Sequence, residues 1–277
     1  MKYFLFLLGW CLPQLLLAVP LKKPLQIAER FVSKEQWPEM RNYLSGEILQ
    51  QAKQQSLGQQ IPAHLQRRCA LLRQDSAAAV VTVELRDTTS RNDFYLYFAK
   101  EESTWKLRAV RGLAMVGLGQ QMLKVLTTMP PTEIAQYNQR HPEANHAFTV
   151  GNLKLWSGAD ADIIEHFNQH AADFNKVVGL VQARQYFPPK ADVLALGEQA
   201  ANADSTISAL LQSLYISRIT RRDTGCGTCL EFLIGGLVDN TVGLMYQPDA
   251  NAVPAMHPDR IIVIKPIGNG WYLYKTT

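Results

Sequence analysis

Apolar residues recur at helical spacing near the start of the chain and at strand-like spacing directly after it. Between residues 25 and 55 they return every three or four positions, which predicts helix. Three runs rich in Val, Tyr, Phe and Leu then follow at residues 78–86, 94–99 and 105–110, with polar connections between them. This order predicts a layer of helices on an antiparallel sheet, which is an α+β unit.

The second half of the chain has the same order, helices first and strands after them. Residues 113–127 and 132–140 predict two helices, and residues 147–156 predict a strand that precedes a strong amphipathic helix at 160–179. The remaining predicted helices cover residues 192–201 and 205–214, and the remaining predicted strands cover 215–221, 230–237, 241–246, 260–265 and 271–275.

A short correspondence links the two halves. Asp93 and Trp105 stand at the same spacing as Asp259 and Trp271, each pair spanning a predicted strand, turn and strand. Such internal similarity favours a duplication. We therefore expect N-terminal helices packed on a curved antiparallel sheet, repeated twice in the chain.

The domain boundaries follow from this reading. The first α+β domain is predicted at residues 22–112, a helical linker at 113–145 and the second α+β domain at 146–277.

A composition of 47% hydrophobic and 19% charged residues is that of a globular chain, which excludes a disordered or multi-pass membrane protein. A net charge of only +4 gives no reason to expect a nucleic-acid partner.

An apolar strand, a polar turn and a Trp-x-Leu strand, all behind N-terminal helices, resemble the nuclear transport factor two-like superfamily. The resemblance covers residues 25–111 and 155–277, and it implies a cone of helices wrapped by a curved sheet. Similar cones serve as isomerase-like enzymes, ligand pockets and association modules. The isomerase-like members use a Tyr and acidic residues inside the cone, and no motif here places such residues, so the fold does not settle the function.

The first residues have the features of a secretory signal peptide. Lys2 is followed by an apolar run at residues 4–17 and by the small residue Ala18, and we expect cleavage near Ala18 or Val19. The run is shorter than the ~20 residues of a membrane span, which disfavours the alternative of an uncleaved anchor. Residues 151–155 and 268–277 also resemble uncharacterised exported bacterial proteins. Both features predict export, to the periplasm or the extracellular space.

Cys226 and Cys229 form a C-x-x-C pair flanked by glycines, which predicts a tight disulfide in an exported protein. One alternative is a disulfide that joins Cys226 or Cys229 to Cys69. The other is redox or metal chemistry at the C-x-x-C pair. No second C-x-x-C or C-x-x-H is present, so no zinc site is expected. No P-loop, dinucleotide fingerprint or G-x-S-x-G motif occurs either, and no cofactor is expected.

A polar stripe lies along the predicted helix at 160–179. Asp162, His166, His170 and Asp173 follow one another at helical spacing, so they share one edge of the helix. A His beside a carboxylate can act as a general base, and two His four residues apart can bind a metal. The alternative is a row of half-buried residues at the edge of the core, and the absence of H-E-x-x-H excludes the metalloprotease pattern.

Arginines and a long loop suggest a second binding region. Arg218 and Arg222 fall on one face of the predicted strand at 215–221, where they could clamp a carboxylate or phosphate, although a solvated sheet face explains them equally. Residues 247–259 form a long loop that contains His257, and we expect this loop to cover the mouth of the sheet.

These patterns favour an exported, non-enzymatic binding or protein-association module whose partner is an unknown small molecule or an envelope protein. The alternative is a small-molecule isomerase or hydrolase that uses the His166 and His170 group of the second domain. A third possibility is an envelope protein that holds its partner by exposed strand edges or by the apolar segment 113–126. No stable membrane span is expected after cleavage.

Overall fold

The structure is a computed structural model that describes residues 21–52, 56–88, 90–114, 116–187, 194–237 and 240–277. The predicted signal peptide at residues 1–19 lies outside the described residues. The helices are α1 (Pro24–Phe31), α2 (Gly46–Gln51), α3 (Leu57–Gln60), α4 (Val116–Thr127), α5 (Pro131–Arg140), α6 (His146–Trp156), α7 (Asp160–Ala183), α8 (Leu194–Ala203) and α9 (Ser205–Ser213). The strands are β1 (Gln66–Gln74), β2 (Ala78–Arg86), β3 (Arg91–Glu101), β4 (Thr104–Arg111), β5 (Arg218–Thr220), β6 (Leu230–Leu237), β7 (Asn240–Tyr246), β8 (Ile261–Gly268) and β9 (Trp271–Thr276).

The strands form two antiparallel sheets, which confirms the predicted α+β class. Sheet A has the order β1-β2-β3-β4, and sheet B has the order β5-β6-β7-β9-β8. The sequence pattern missed β1, because this edge strand carries Arg67, Arg68 and Arg73 and buries little of either face. No helix within the described ranges is both long enough and apolar enough to cross a membrane.

The predicted strand at residues 147–156 is wrong, since this segment is the helix α6. Asn145 caps the helix by accepting a hydrogen bond from the backbone N–H of Phe148 at 3.0 Å. The helix packs between α4 and strand β6, so it is apolar on more than one side. A buried helix and a buried strand have the same continuous apolar pattern, and spacing does not separate them.

The structure does not show the predicted repetition. In sheet A the strand of Trp105, β4, is the edge strand, whereas in sheet B the strand of Trp271, β9, lies between β7 and β8. The two indoles therefore have different surroundings. Trp105 packs with the N-terminal helices, and Trp271 packs against the rings of Phe167, Phe174 and Phe232.

Sheet A carries buried residues on both faces of its strands β2 and β3. Val81, Leu96 and Phe98 on one face pack against the helices α1 to α3 and the turn that follows α1. The other face of sheet A belongs to a second core, to which it contributes Val80, Tyr95, Tyr97 and Ala109. This core also contains residues of α6, α7, α9 and sheet B, so it draws on both halves of the chain. The two sheets therefore share one core, and the Tyr97 hydroxyl of sheet A joins them by donating to the Ile262 carbonyl of sheet B at 2.7 Å.

A cluster of buried charges joins the two sheets to helix α7, and we call Asp93, Tyr95, Asp160, Lys265 and Lys275 the ion cluster. Asp160 is only 2% exposed. Its Oδ1 accepts from the Tyr95 hydroxyl at 2.7 Å and lies 2.9 Å from Lys275 Nζ, while its Oδ2 lies 3.3 Å from Lys265 Nζ. Its backbone N–H donates to Asp93 Oδ2 at 2.5 Å.

The ion cluster predicts a large stability effect at one carboxylate. Asp160→Ala leaves the 3% exposed Lys275 without its counter-ion. We expect the free energy of unfolding, measured by urea denaturation, to fall by about 3–5 kcal/mol, as it does when one partner of a buried pair is removed. The control Asp162→Ala removes a half-exposed carboxylate two residues further along the same helix. Its free energy of unfolding should fall by about 1 kcal/mol. Equal losses in the two variants would contradict this role.

Candidate functional site

A cleft of about 520 Å³ opens between sheet A and the loop that precedes β8. We call residues 247–259 the strap and this opening the strap cleft. Its floor is the face of sheet A that also meets sheet B, and residues 255–259 of the strap form a wall. The predicted covering loop and its His257 therefore lie at a real concavity, and the role of His257 in binding stays a prediction.

Small side chains produce the hollow. Ala78 on β2 lies directly opposite Ala99 on β3, and Tyr97 on β3 lies opposite Ala109 on β4. Residues directly opposite on antiparallel strands share a face, so the three alanines line one shallow depression beside the Tyr97 ring. Larger residues at these positions would fill the space between the sheet and the strap.

Arg111 fixes the strap to sheet A. Its Nε donates to the Pro258 carbonyl at 2.8 Å, its Nη2 donates to Asp259 Oδ1 at 2.8 Å, and its guanidinium also binds both carboxylate oxygens of Glu47. The hydrogen bonds to Glu47 raise the pKa of Arg111 above its usual value. Arg111 was not among the residues predicted from the sequence, since an Arg at the end of a strand resembles a solvated residue. Its position two residues after Ala109, on the same face, was the available signal.

The predicted disulfide between Cys226 and Cys229 is formed, with Cα atoms 5.5 Å apart. Gly225 and Gly227 have positive φ angles of 69° and 73°, which allow the sharp turn that the pattern predicted. Cys69 is a free, half-buried thiol, and burial raises its pKa to about 12. The alternative bridge to Cys69 is therefore absent.

The disulfide turn supports the base of the strap. Gln247 Nε2 donates to Thr228 Oγ1 at 2.8 Å, and Cys226 Sγ lies 3.5 Å from the Ala252 carbonyl oxygen. The strap is thus held at its start by the disulfide turn and at its end by Arg111. A wall held at both ends is pre-organised for binding.

The polar stripe of α7 is divided between separate partners. Asp162 accepts from the backbone N–H of Ala159 and lies 3.5 Å from Arg91, at the start of the helix. His166 donates from Nε2 to the Leu214 carbonyl at 3.0 Å, and burial lowers its pKa. The His170 ring lies 4.7 Å from the His166 ring, at a residue with non-helical backbone angles.

Asp173, the last residue of the stripe, is half-buried. Within the described ranges, no three His, Cys, Asp or Glu side chains are grouped closely enough to hold a metal ion. The structure therefore brings His166 and His170 together and leaves Asp162 with Arg91. Whether these residues act in catalysis stays a prediction.

The two arginines predicted as an anion clamp have different positions. Arg218 is exposed on the edge strand β5. Arg222 lies after the end of that strand, and its Nε is 3.1 Å from Glu198 Oε2 on α8. Arg222 thus already has a carboxylate partner, and a role of the pair in binding stays a prediction.

A second, smaller cleft of about 270 Å³ opens onto the ion cluster and is lined in part by Thr82, Glu84, Asp93, Asp160 and Lys265. Burial and the charge of Asp160 raise the pKa of Asp93 to about 6. Burial would also raise the pKa of Asp160, but the charges of Lys275 and Lys265 outweigh it and hold that pKa below its usual value. Two neighbouring carboxyl groups thus have pKa values shifted in opposite directions.

No protein-family model, no curated protein and no solved structure matches the chain. The function is therefore inferred from the geometry of the described residues.

The raised pKa of Asp93 predicts a pH-dependent stability. Between about pH 4 and about pH 6 the folded protein keeps a proton that the unfolded chain has lost, since the pKa is raised from 3.8 to about 6. The contribution of Asp93 to stability therefore falls as pH rises through this window. Asp93→Asn removes this titrating group. The free energy of unfolding of the variant, measured by urea denaturation, should therefore rise relative to that of the wild type as the pH increases to about 6, and the difference should stay constant above that pH. Parallel stability profiles would contradict the raised pKa.

Proposed function

We propose that this chain is an exported, non-enzymatic module that binds a small molecule in the strap cleft. The observation that carries the proposal is a pre-formed concavity with an apolar floor of small residues, a charged rim and a wall fixed at both ends. A volume of about 520 Å³ is in the range of small-molecule sites. Ligand sites of this kind combine apolar lining with a few polar groups that set orientation.

The state of the polar groups at the cleft favours binding over catalysis. The Tyr97 hydroxyl donates to the Ile262 carbonyl at 2.7 Å, and Arg111 is occupied by two carboxylates and a carbonyl. These groups hold the structure together and are not free to transfer protons to a ligand. The acid–base enzyme that would use His166 and His170 stays an alternative prediction, as does the superfamily resemblance.

Export is part of the proposal. The apolar segment at residues 4–17 has the features of a signal peptide. The Cys226–Cys229 disulfide supports export, because disulfides persist in oxidising compartments such as the periplasm and the extracellular space.

Filling the floor of the strap cleft tests the binding site. Ala99 is half-buried and faces the cleft, so the ring of Ala99→Phe should occupy the space of a ligand. We expect Ala99→Phe to weaken binding about tenfold, a loss of about 1.4 kcal/mol. Native mass spectrometry of protein purified from its own organism should therefore show a co-purifying small molecule on the wild type and lower occupancy on the variant. The matched control Ala172→Phe, at an exposed position of α7, should keep the ligand. Equal occupancy in all three proteins would refute the assignment of the site.

Export is tested by the N-terminus of the mature protein. We expect the intact mass of the protein recovered from its own cells to lack the residues up to Ala18 or Val19. The protein should be found outside the cytoplasm. A chain that retains Met1 and fractionates with cytoplasmic proteins would rule out export.

A further inference from the structure

We propose that the ligand of the strap cleft is an amphipathic acid, a single carboxylate on an apolar body, and that Arg108 binds its carboxylate. This inference rests on the proposed function, because it names the class of molecule that the same cleft takes. Two features of the cleft support it: which charged groups of the rim have partners, and the apolar floor between them.

Arg108 is an exposed cation of the rim, and within the described ranges its side chain makes no ion pair or hydrogen bond. Arg73 on β1 also lines the cleft without an ion pair or hydrogen bond to a described residue, but it lies at the opposite edge of sheet A. The Glu47 carboxylate beside Arg108 is bound by Arg111 instead. An unpaired guanidinium at the edge of an apolar hollow offers two parallel N–H donors to a carboxylate.

A bulge in β4 accounts for the position of Arg108. Tyr97 pairs with Ala109 and Phe98 pairs with Leu107, so Arg108 is an extra residue without a partner on β3. Bulges redirect side chains and are common beside functional sites. Arg108 also packs over Gly46, where an added Cβ would lie 3.6 Å from its Nε, so the guanidinium lies along the rim beside α2.

The carboxylates of the rim already have hydrogen-bond partners within the protein. Asp75 accepts hydrogen bonds from the backbone N–H groups of Ala77 and Ala78, both at 2.8 Å, and these bonds lower its pKa, with a further contribution from Arg73. Asp259 is bound by Arg111. The three carboxylates of the rim therefore already accept hydrogen bonds, whereas Arg108 and Arg73 have donors left without a partner among the described residues, and such donors suit an anion.

The floor determines the rest of the ligand. Ala78, Val80, Ala99 and Ala109 expose no polar side-chain atoms, so the part of the ligand above them is apolar. Arg108 on β4 and the far strand β1 are three strand spacings apart, about 14 Å. A medium-length aliphatic or aromatic body fits this span with the acid at the β4 end.

Isothermal titration calorimetry with three probes of the same chain length tests the ligand class. The purified full chain should bind decanoate and should not bind decyltrimethylammonium, and 1-decanol should bind more weakly than decanoate. Arg108→Gln should weaken decanoate binding by about 10- to 100-fold, the range for a lost charged hydrogen bond. Arg108→Lys should recover part of the affinity, since it keeps the charge without the planar fork. The matched control Arg86→Gln, at the far end of β2, should bind decanoate like the wild type.

The outcomes separate the ligand class from the binding site. If decyltrimethylammonium or decanol binds as tightly as decanoate and Ala99→Phe blocks them, the cleft is a ligand site but the acidic class is wrong. If decanoate binding is unchanged in Arg108→Gln, the role of Arg108 is wrong. The same acidic group could also belong to a lipid head group. A further experiment therefore measures whether the protein sediments with vesicles of anionic lipid. Binding to vesicles without binding to monomeric decanoate would overturn a free acid as the ligand.

Discussion

The buried carboxylate of Asp160 is the point where strands β3, β8 and β9 meet helix α7. It accepts from Tyr95 and pairs with Lys265 and Lys275, while the backbone N–H of the same residue is bound by Asp93. Charges taken out of water are costly unless every one is paired. The ion cluster therefore favours this one arrangement of the two sheets, because a displacement would leave a buried ion without a partner.

The strap cleft and the smaller cleft lie beside this contact between the halves. Tyr95 and Tyr97 project from the same face of β3, one to Asp160 and the other to the Ile262 carbonyl on β8. Together they form a ridge where the second half of the chain rests on sheet A. The strap cleft lies on one side of the ridge, over the alanines, and the smaller cleft lies on the other side, beside Asp93. A binding site on this face thus depends on how the halves are held together.

The strap has its own supports, and these differ in chemistry. A disulfide turn braces its start through Gln247 and Ala252, and Arg111 holds its end through Pro258 and Asp259. Because both supports belong to the folded chain, the wall of the cleft is in place before a ligand arrives. Binding then loses little conformational entropy in the protein.

The α+β class, most of the strands and the Cys226–Cys229 disulfide could be predicted from the residues alone, because these features depend on local spacing, alternation and turn residues. Tertiary structure decided that residues 147–156 form a helix, that β1 joins the sheet, and that Trp105 and Trp271 have different surroundings. It also decided the sites: the ion cluster combines residues from positions 93 to 275, and Arg111 reaches Pro258 and Asp259 of the strap across the contact between the two halves of the chain. Long-range contacts of this kind leave no periodic signal in the chain, since a buried charge is chosen by its partners and not by its neighbours in sequence.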